Sequence, residues 1–115
     1  MPEPDSNDTL TARNTQITTV EIPALQTQRA IKVAERNGLD PEAEDYASEL
    51  LRLTEEIAQI DEQITGLQDE RGGNTTTIGN NNQTILVNTQ EIDRLDGLAD
   101  SLDAQIAQIQ DDIAN

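Results

Sequence analysis

An all-α fold is predicted: a long parallel trimeric coiled coil with an irregular N-terminal attachment segment and a short N-terminal helix. Three observations carry this expectation. One heptad register runs from Tyr46 to Ile113, its centre switches from aliphatic residues to asparagine, and the chain has no Phe or Trp and only one Tyr. Large aromatics usually dominate a compact core, so an extended assembly is expected instead. With Leu50 at position a, the a positions read Leu50, Ile57, Ile64, Arg71, Ile78, Ile85, Ile92, Ala99, Ile106 and Ile113. The d positions read Tyr46, Leu53, Ile60, Leu67, Asn74, Asn81, Asn88, Leu95, Leu102 and Ile109. A sustained apolar repeat of 3.5 residues cannot be buried by one helix; it needs partner helices and specifies a left-handed supercoil.

Composition excludes several classes of function. The 115 residues contain no Cys and no His, which removes disulfides, thiolate metal sites and the commonest general base. Twenty-three acidic residues face seven basic ones, a net charge of -16. That balance argues against nucleic acid and anionic membranes as partners. Lys32 is the only lysine. A large acidic excess with little lysine fits a halophilic source, where salt screens self-repulsion; a genome that favours Arg over Lys gives the same pattern. No apolar run approaches the ~20 residues of a membrane span. Met1-Pro2-Glu3-Pro4-Asp5 lacks the basic and apolar regions of a signal peptide. No phosphate loop, zinc spacing, nucleophile elbow or calcium loop is present, so no catalytic residue, metal ligand or enzyme activity is expected.

The elements follow in order. Residues 1–15 are polar, with Pro2, Pro4, Asn7, Asp8 and Asn14, and predict an irregular arm. Residues 16–22 are rich in Thr and β-branched side chains and predict a short strand that adds to a partner's sheet. Pro23 opens a helix that stops at Asn37-Gly38. Residues 1–38 together form the expected attachment region, with Val20, Ile22, Leu25 and Ile31 as its apolar contacts. Asp40 as cap, Pro41 in the first turn and Glu42 and Glu44 near the positive helix end predict a helix start. Residues 41–71 form the first coiled-coil segment, 72–83 a Gly/Asn/Thr-rich interruption and 84–115 the second segment. The core of the oligomer is expected at Leu50, Leu53, Ile57, Ile60, Ile64, Leu67, Ile78, Ile85, Ile92, Leu95, Leu102, Ile106, Ile109 and Ile113.

Two architectures compete over residues 72–83. Poor helix formers throughout that stretch favour a loop and a hairpin, since each Gly costs about 1 kcal/mol relative to Ala. The register favours a continuing rod, because Ile78 lies 11 residues after Leu67 and seven before Ile85, the spacings of one seam.

Asn74, Asn81 and Asn88 all fall at d. Burying an unpaired amide costs roughly 1–3 kcal/mol, so a row of them calls for mutual pairing or an enclosed ion or water. The aliphatic layers alone allow dimers or higher oligomers; the asparagines favour three chains. Ile85-Leu86-Val87-Asn88-Thr89 resembles the Ile-x-x-Asn-Thr repeat of trimeric autotransporter adhesin stalks, and Ile78-Gly79-Asn80-Asn81 and Asn74-Thr75 resemble its halves. The resemblance implies a three-fold core in which Asn74, Asn81 and Asn88 hold an anion such as chloride, or water, with no other cofactor. Arg71 stands where that family places an aliphatic residue. In architecture the chain also resembles viral fibre and whisker proteins of the fibritin type.

The viral likeness implies a non-enzymatic structural protein of a virion, that of a tailed virus (a phage), and the acidic excess with little lysine adds the expectation of a halophilic host. The expected role is a fibre, whisker, stalk or connector, self-associated as a homotrimer and attached to other virion proteins through its N-terminal region. The alternative is a cytoplasmic scaffold or adaptor whose helical hairpin bundles with other helical proteins.

Overall fold

A computed structural model describes residues 6–115, and every regular element among them is helical. The elements are α1 (Asn7–Gln16), a π turn (Ile17–Glu21), α2 (Ile22–Asn37) and α3 (Tyr46–Ala114). The chain divides into two compact units, Met1–Ile78 and Gly79–Asn115.

The first unit is an antiparallel helical hairpin. Arg13 pairs with Glu70, Arg29 with Asp61 and Lys32 with Glu56, so the N-terminal helix and α3 run in opposite directions. Its core is Leu10, Ile17, Ile22, Leu53, Ile57 and Ile60, with Ile17 and Leu53 fully enclosed.

The N-terminal half departs from the sequence-based expectation. Residues 6–15 are not irregular: Ser6 caps α1 by accepting from the Thr9 backbone N–H at 3.2 Å, and Asp8 sits in the first turn. Both features favour a helix start. The portion of the expected arm that holds Pro2 and Pro4 lies outside the described residues. Residues 16–22 do not form a strand. The β-branched run Ile17-Thr18-Thr19-Val20 is helical and contains the π turn, where Ile22 N–H reaches Ile17 O, five residues back. Helix propensities differ by less than about 1 kcal/mol per residue, which the burial of Ile17 and Ile22 outweighs.

The π turn has a seam-level cause. Up to its end, the residues turned toward α3 include Asn7, Leu10, Asn14, Ile17 and Glu21; after it, Ile22, Leu25, Arg29, Lys32 and Arg36. Each set follows heptad spacing, but the second is displaced by one residue. One wide turn absorbs the extra residue and keeps the apolar stripe on one face. Pro23, which cannot donate a backbone hydrogen bond, follows directly and favours such a local break.

The hairpin turn lies at residues 38–45. Gly38 N–H closes α2 by donating to Ala34 O at 3.0 Å. Asp40 does not cap α3. Its Oδ1 accepts from Glu42 N–H at 2.9 Å within the turn, and α3 begins at Tyr46. Residues 72–83 are helical throughout. The chain does fold back, but at 38–45 and not in the glycine-rich stretch. Thr75 and Thr76 each return a hydroxyl hydrogen bond to the carbonyl four residues earlier, at 3.0 and 3.2 Å.

Gly72 and Gly73 lie on the exposed side of α3, where an added Cβ meets nothing within 4 Å. Replacing both with alanine is expected to stabilise the hairpin by about 1–2 kcal/mol, since each helical glycine costs roughly 0.5–1 kcal/mol. Thermal unfolding followed by circular dichroism measures it; a lower melting temperature would show that this stretch is not helical in solution.

Candidate functional site

Two stretches of one seam lie along α3, and their environments differ. In the hairpin unit every a and d position from Tyr46 to Ile78 is buried or half-buried. Leu53, Ile57 and Ile60 are buried, and Leu50, Ile64, Leu67 and Ile78 are half-buried. The expected core residues of this stretch are thus covered by the chain's own N-terminal helix.

In the unit Gly79–Asn115 every residue except Asn81 is exposed. Ile85, Ile92, Leu95, Leu102, Ile106 and Ile109 each expose between 49% and 57% of their surface, and Ile113 79%. Such partial shielding is what the turns of a single helix give their own side chains. Ala99 and Asn88 complete the stripe at a and d. Covering half of an Ile or Leu contributes on the order of 1 kcal/mol, so these layers together form the largest unsatisfied apolar face among the described residues. Leu86, Val87 and Leu98 are as exposed but lie off the stripe.

The charges flanking the stripe have one sign. Glu91 and Asp112 occupy g, Asp96 and Asp103 occupy e, and Arg94 is the only basic residue after Arg71. Arg94 is held on its own helix by Glu91, with Nε donating at 3.0 Å. Cross-chain ion pairs therefore cannot hold copies of this segment together.

The three seam asparagines have different settings. Asn74 Nδ2 donates to Asn14 Oδ1 at 3.0 Å, and Asn14 Nδ2 donates to Thr75 Oγ1 at 3.3 Å. The Asn74 amide is thereby satisfied within its own chain. Asn81 is half-buried and Asn88 exposed. Arg71, the polar a residue, donates from Nη1 to Thr18 Oγ1 at 3.0 Å. In the sequence, the signal for this polar layer is Asn14, at heptad spacing from Asn7, Leu10 and Ile17. The one-residue displacement at the π turn obscures it.

The expected attachment residues have different settings. Ile22 is taken up by the hairpin core, Leu25 is half-buried, and Val20 and Ile31 are about half exposed. Val20 and Leu25 line a groove of about 490 Å³ with Glu21, Ala24, Gln28, Gln63, Gly66 and Leu67. The bare backbone at Gly66 helps open it.

The hairpin's ion pairs contribute to its pH response. Lys32, then Arg52, hold the Glu56 carboxyl below the usual glutamate range, and Arg13 does the same to Glu70. Arg13 also pairs with Glu21. A depressed carboxylate pKa gives stability that is present above the unfolded-state value and lost as pH falls through the folded value. Hairpin melting temperature is thus expected to fall on acidification below the ordinary glutamate range. The variant Glu56→Gln/Glu70→Gln should show a flatter dependence; an unchanged slope would remove these pairs as the cause.

Among the described residues no cluster of acidic side chains is arranged to hold a metal ion, and no helix is long and apolar enough to cross a membrane. No family model matches the chain, and neither a curated protein nor a solved structure matches it.

Proposed function

We propose that the chain is a non-enzymatic structural protein that self-associates through the aliphatic stripe of residues 85–113. The observation that carries this reading is the exposure of that stripe, with Ile or Leu at every a and d position of one heptad register except Asn88 and Ala99. A single helix has no means of covering it, and other copies of the same stripe match its spacing. Three parallel chains are the proposed number, because Asn88 then meets two identical amides that share its hydrogen-bonding needs. Chloride or water enclosed by such a layer belongs to the same proposal.

In this reading the protein is a fibre, stalk or connector of a virion, and the hairpin of residues 7–78 contacts neighbouring structural proteins. The virion setting rests on the likeness to viral whisker proteins, and the halophilic setting on the acidic excess. The acidic e and g positions make the assembly salt-dependent: copies repel at low ionic strength and associate when the Debye length shrinks from ~30 Å at ~0.01 M to ~3 Å at ~1 M. Light scattering with circular dichroism in dilute and molar potassium chloride tests this. A three-chain mass at high salt that declines at low salt is expected. A single-chain mass at every salt would refute self-association.

A specific observation favours a second reading, a scaffold or adaptor for other helical proteins. The hairpin presents an apolar groove beside Val20, Ala24 and Leu25, of the kind a partner helix fills. A single-chain mass together with a mixed complex would support it.

A further inference from the structure

We infer that the N-terminal helix is a removable cover on the association seam, and that ionic strength drives its exchange for other copies of α3. The inference rests on the self-association proposed above. The surface concerned is the seam at Leu50, Leu53, Ile57, Ile60, Ile64 and Leu67, and the partner is the same seam of a second and third copy.

Three observations carry it. The first is register. Leu50 to Leu67 and Ile85 to Ile113 belong to one unbroken heptad frame, yet the first stretch is covered within the chain and the second is bare. The heptad frame that a parallel copy reads at 85–113 is, in the sequence, the same frame that it reads at 50–67.

The second is the quality of the cover. The inner face of the N-terminal helix keeps frame only by a π turn, and it carries Arg13, Asn14, Arg29, Lys32 and Arg36 among its inward positions. A copy of α3 offers Leu or Ile at each layer from 50 to 67. Beyond Leu67 the polar layer Arg71 and Asn74 is satisfied by Thr18 and Asn14 in the closed hairpin, so the apolar gain of the exchange comes from 50–67.

The third is the sign of the salt effect. The cover is tied down by Arg13–Glu70 at 2.6 Å, Arg29–Asp61 at 2.6 Å and Lys32–Glu56 at 3.1 Å, all with half-exposed side chains. Glu56 and Glu70 are at g and Asp61 at e, the positions that face a neighbouring chain in a parallel coil. The cover therefore neutralises the very acids that would repel in the assembled form. Salt weakens the attraction in the closed hairpin and the repulsion between copies, so both effects move the equilibrium the same way.

The chain has no cysteine, so Gln26→Cys/Glu62→Cys, both exposed, provides paired spin-label sites across the hairpin. Labelled full-length chain is diluted into excess unlabelled chain, so that distances report one molecule. Mass and the label-to-label distance are read together from about 0.05 M to about 3 M potassium chloride. Loss of most of the short-distance population as mass rises is the expected result. Ile17→Asp, which weakens the cover and leaves the sequence of α3 intact, should move that loss to lower salt. Assembly with an unchanged short distance at every salt, in both variants, would overturn the cover while leaving self-association intact. Absence of assembly at every salt would overturn both.

Discussion

Leu95→Asp is expected to abolish the proposed self-association and leave the hairpin folded. In three parallel chains the substitution places three carboxylates in one d layer, flanked by Glu91 at g and Asp96 at e. Each chain loses about 1 kcal/mol of apolar burial. The unpaired charges add several kcal/mol, because desolvated like charges have no compensation there. About 1.4 kcal/mol is tenfold in an equilibrium constant, so assembly should weaken by at least ~100-fold. Mass by light scattering should fall to a single chain at a salt where the unaltered protein is oligomeric. The informative control is Leu86→Asp. Leu86 is 50% exposed and Leu95 49%, but Leu86 lies off the stripe. Equal damage from both substitutions would show that general surface hydrophobicity, and not the seam, holds the copies together.

Leu53→Ala should destabilise the hairpin by about 2–3 kcal/mol, toward the lower end of the range for buried Leu truncations because a two-helix core relaxes readily around a cavity. Leu53 is 1% exposed and Ile17 0%, so Ile17→Ala should cost a similar amount. The two sit in different stretches of the hairpin, Ile17 in the π turn and Leu53 near the start of α3. Their effects should add. At roughly 4–8 °C per kcal/mol for a domain of 60–100 residues, either single variant should lower the hairpin melting temperature by about 10 °C or more. The double variant should leave α1 and α2 undocked from α3 and unfolded. Hydrogen exchange over residues 7–37 reads that directly. Unchanged protection in the double variant would mean that the hairpin core is elsewhere.

Part of the hairpin is legible in the sequence. Asn37-Gly38 marks the end of α2, and the heptad frame marks which face of α3 turns inward. The helix that precedes Pro23, and its continuity with α2, are not legible there, for three physical reasons. Ile17-Thr18-Thr19-Val20 carries strand-like propensity, Pro23 reads as the start of a new helix and not as part of a continuing one, and the one-residue displacement at the π turn breaks a heptad repeat into two short pieces. Each piece alone is too weak to stand out from its polar neighbours. Residues 72–83 show the converse. Their Gly, Asn and Thr residues oppose a helix, but losses of about 1 kcal/mol or less per residue are offset once the helix is already nucleated on both sides and Asn74 has a cross-hairpin partner.

The candidate site divides in the same way. Ile85 to Ile113 can be named from spacing alone, because a 3.5-residue repeat of aliphatic residues identifies a face that demands cover whatever provides it. Spacing is silent on which cover wins. Periodicity is a property of one helix, whereas burial is a property of a pair. Leu53, Ile57 and Ile60 carry the same pattern as Ile92, Leu102 and Ile106, and nothing local distinguishes them. The residue pattern suffices to make α3 helical over its aliphatic stretches and to say which of its faces must be hidden. That the chain's own N-terminal helix hides one of those stretches is a tertiary outcome. It depends on Arg13, Arg29 and Lys32 meeting Glu70, Asp61 and Glu56 across a turn at 38–45, and no local pattern encodes a meeting between residues so far apart in the chain.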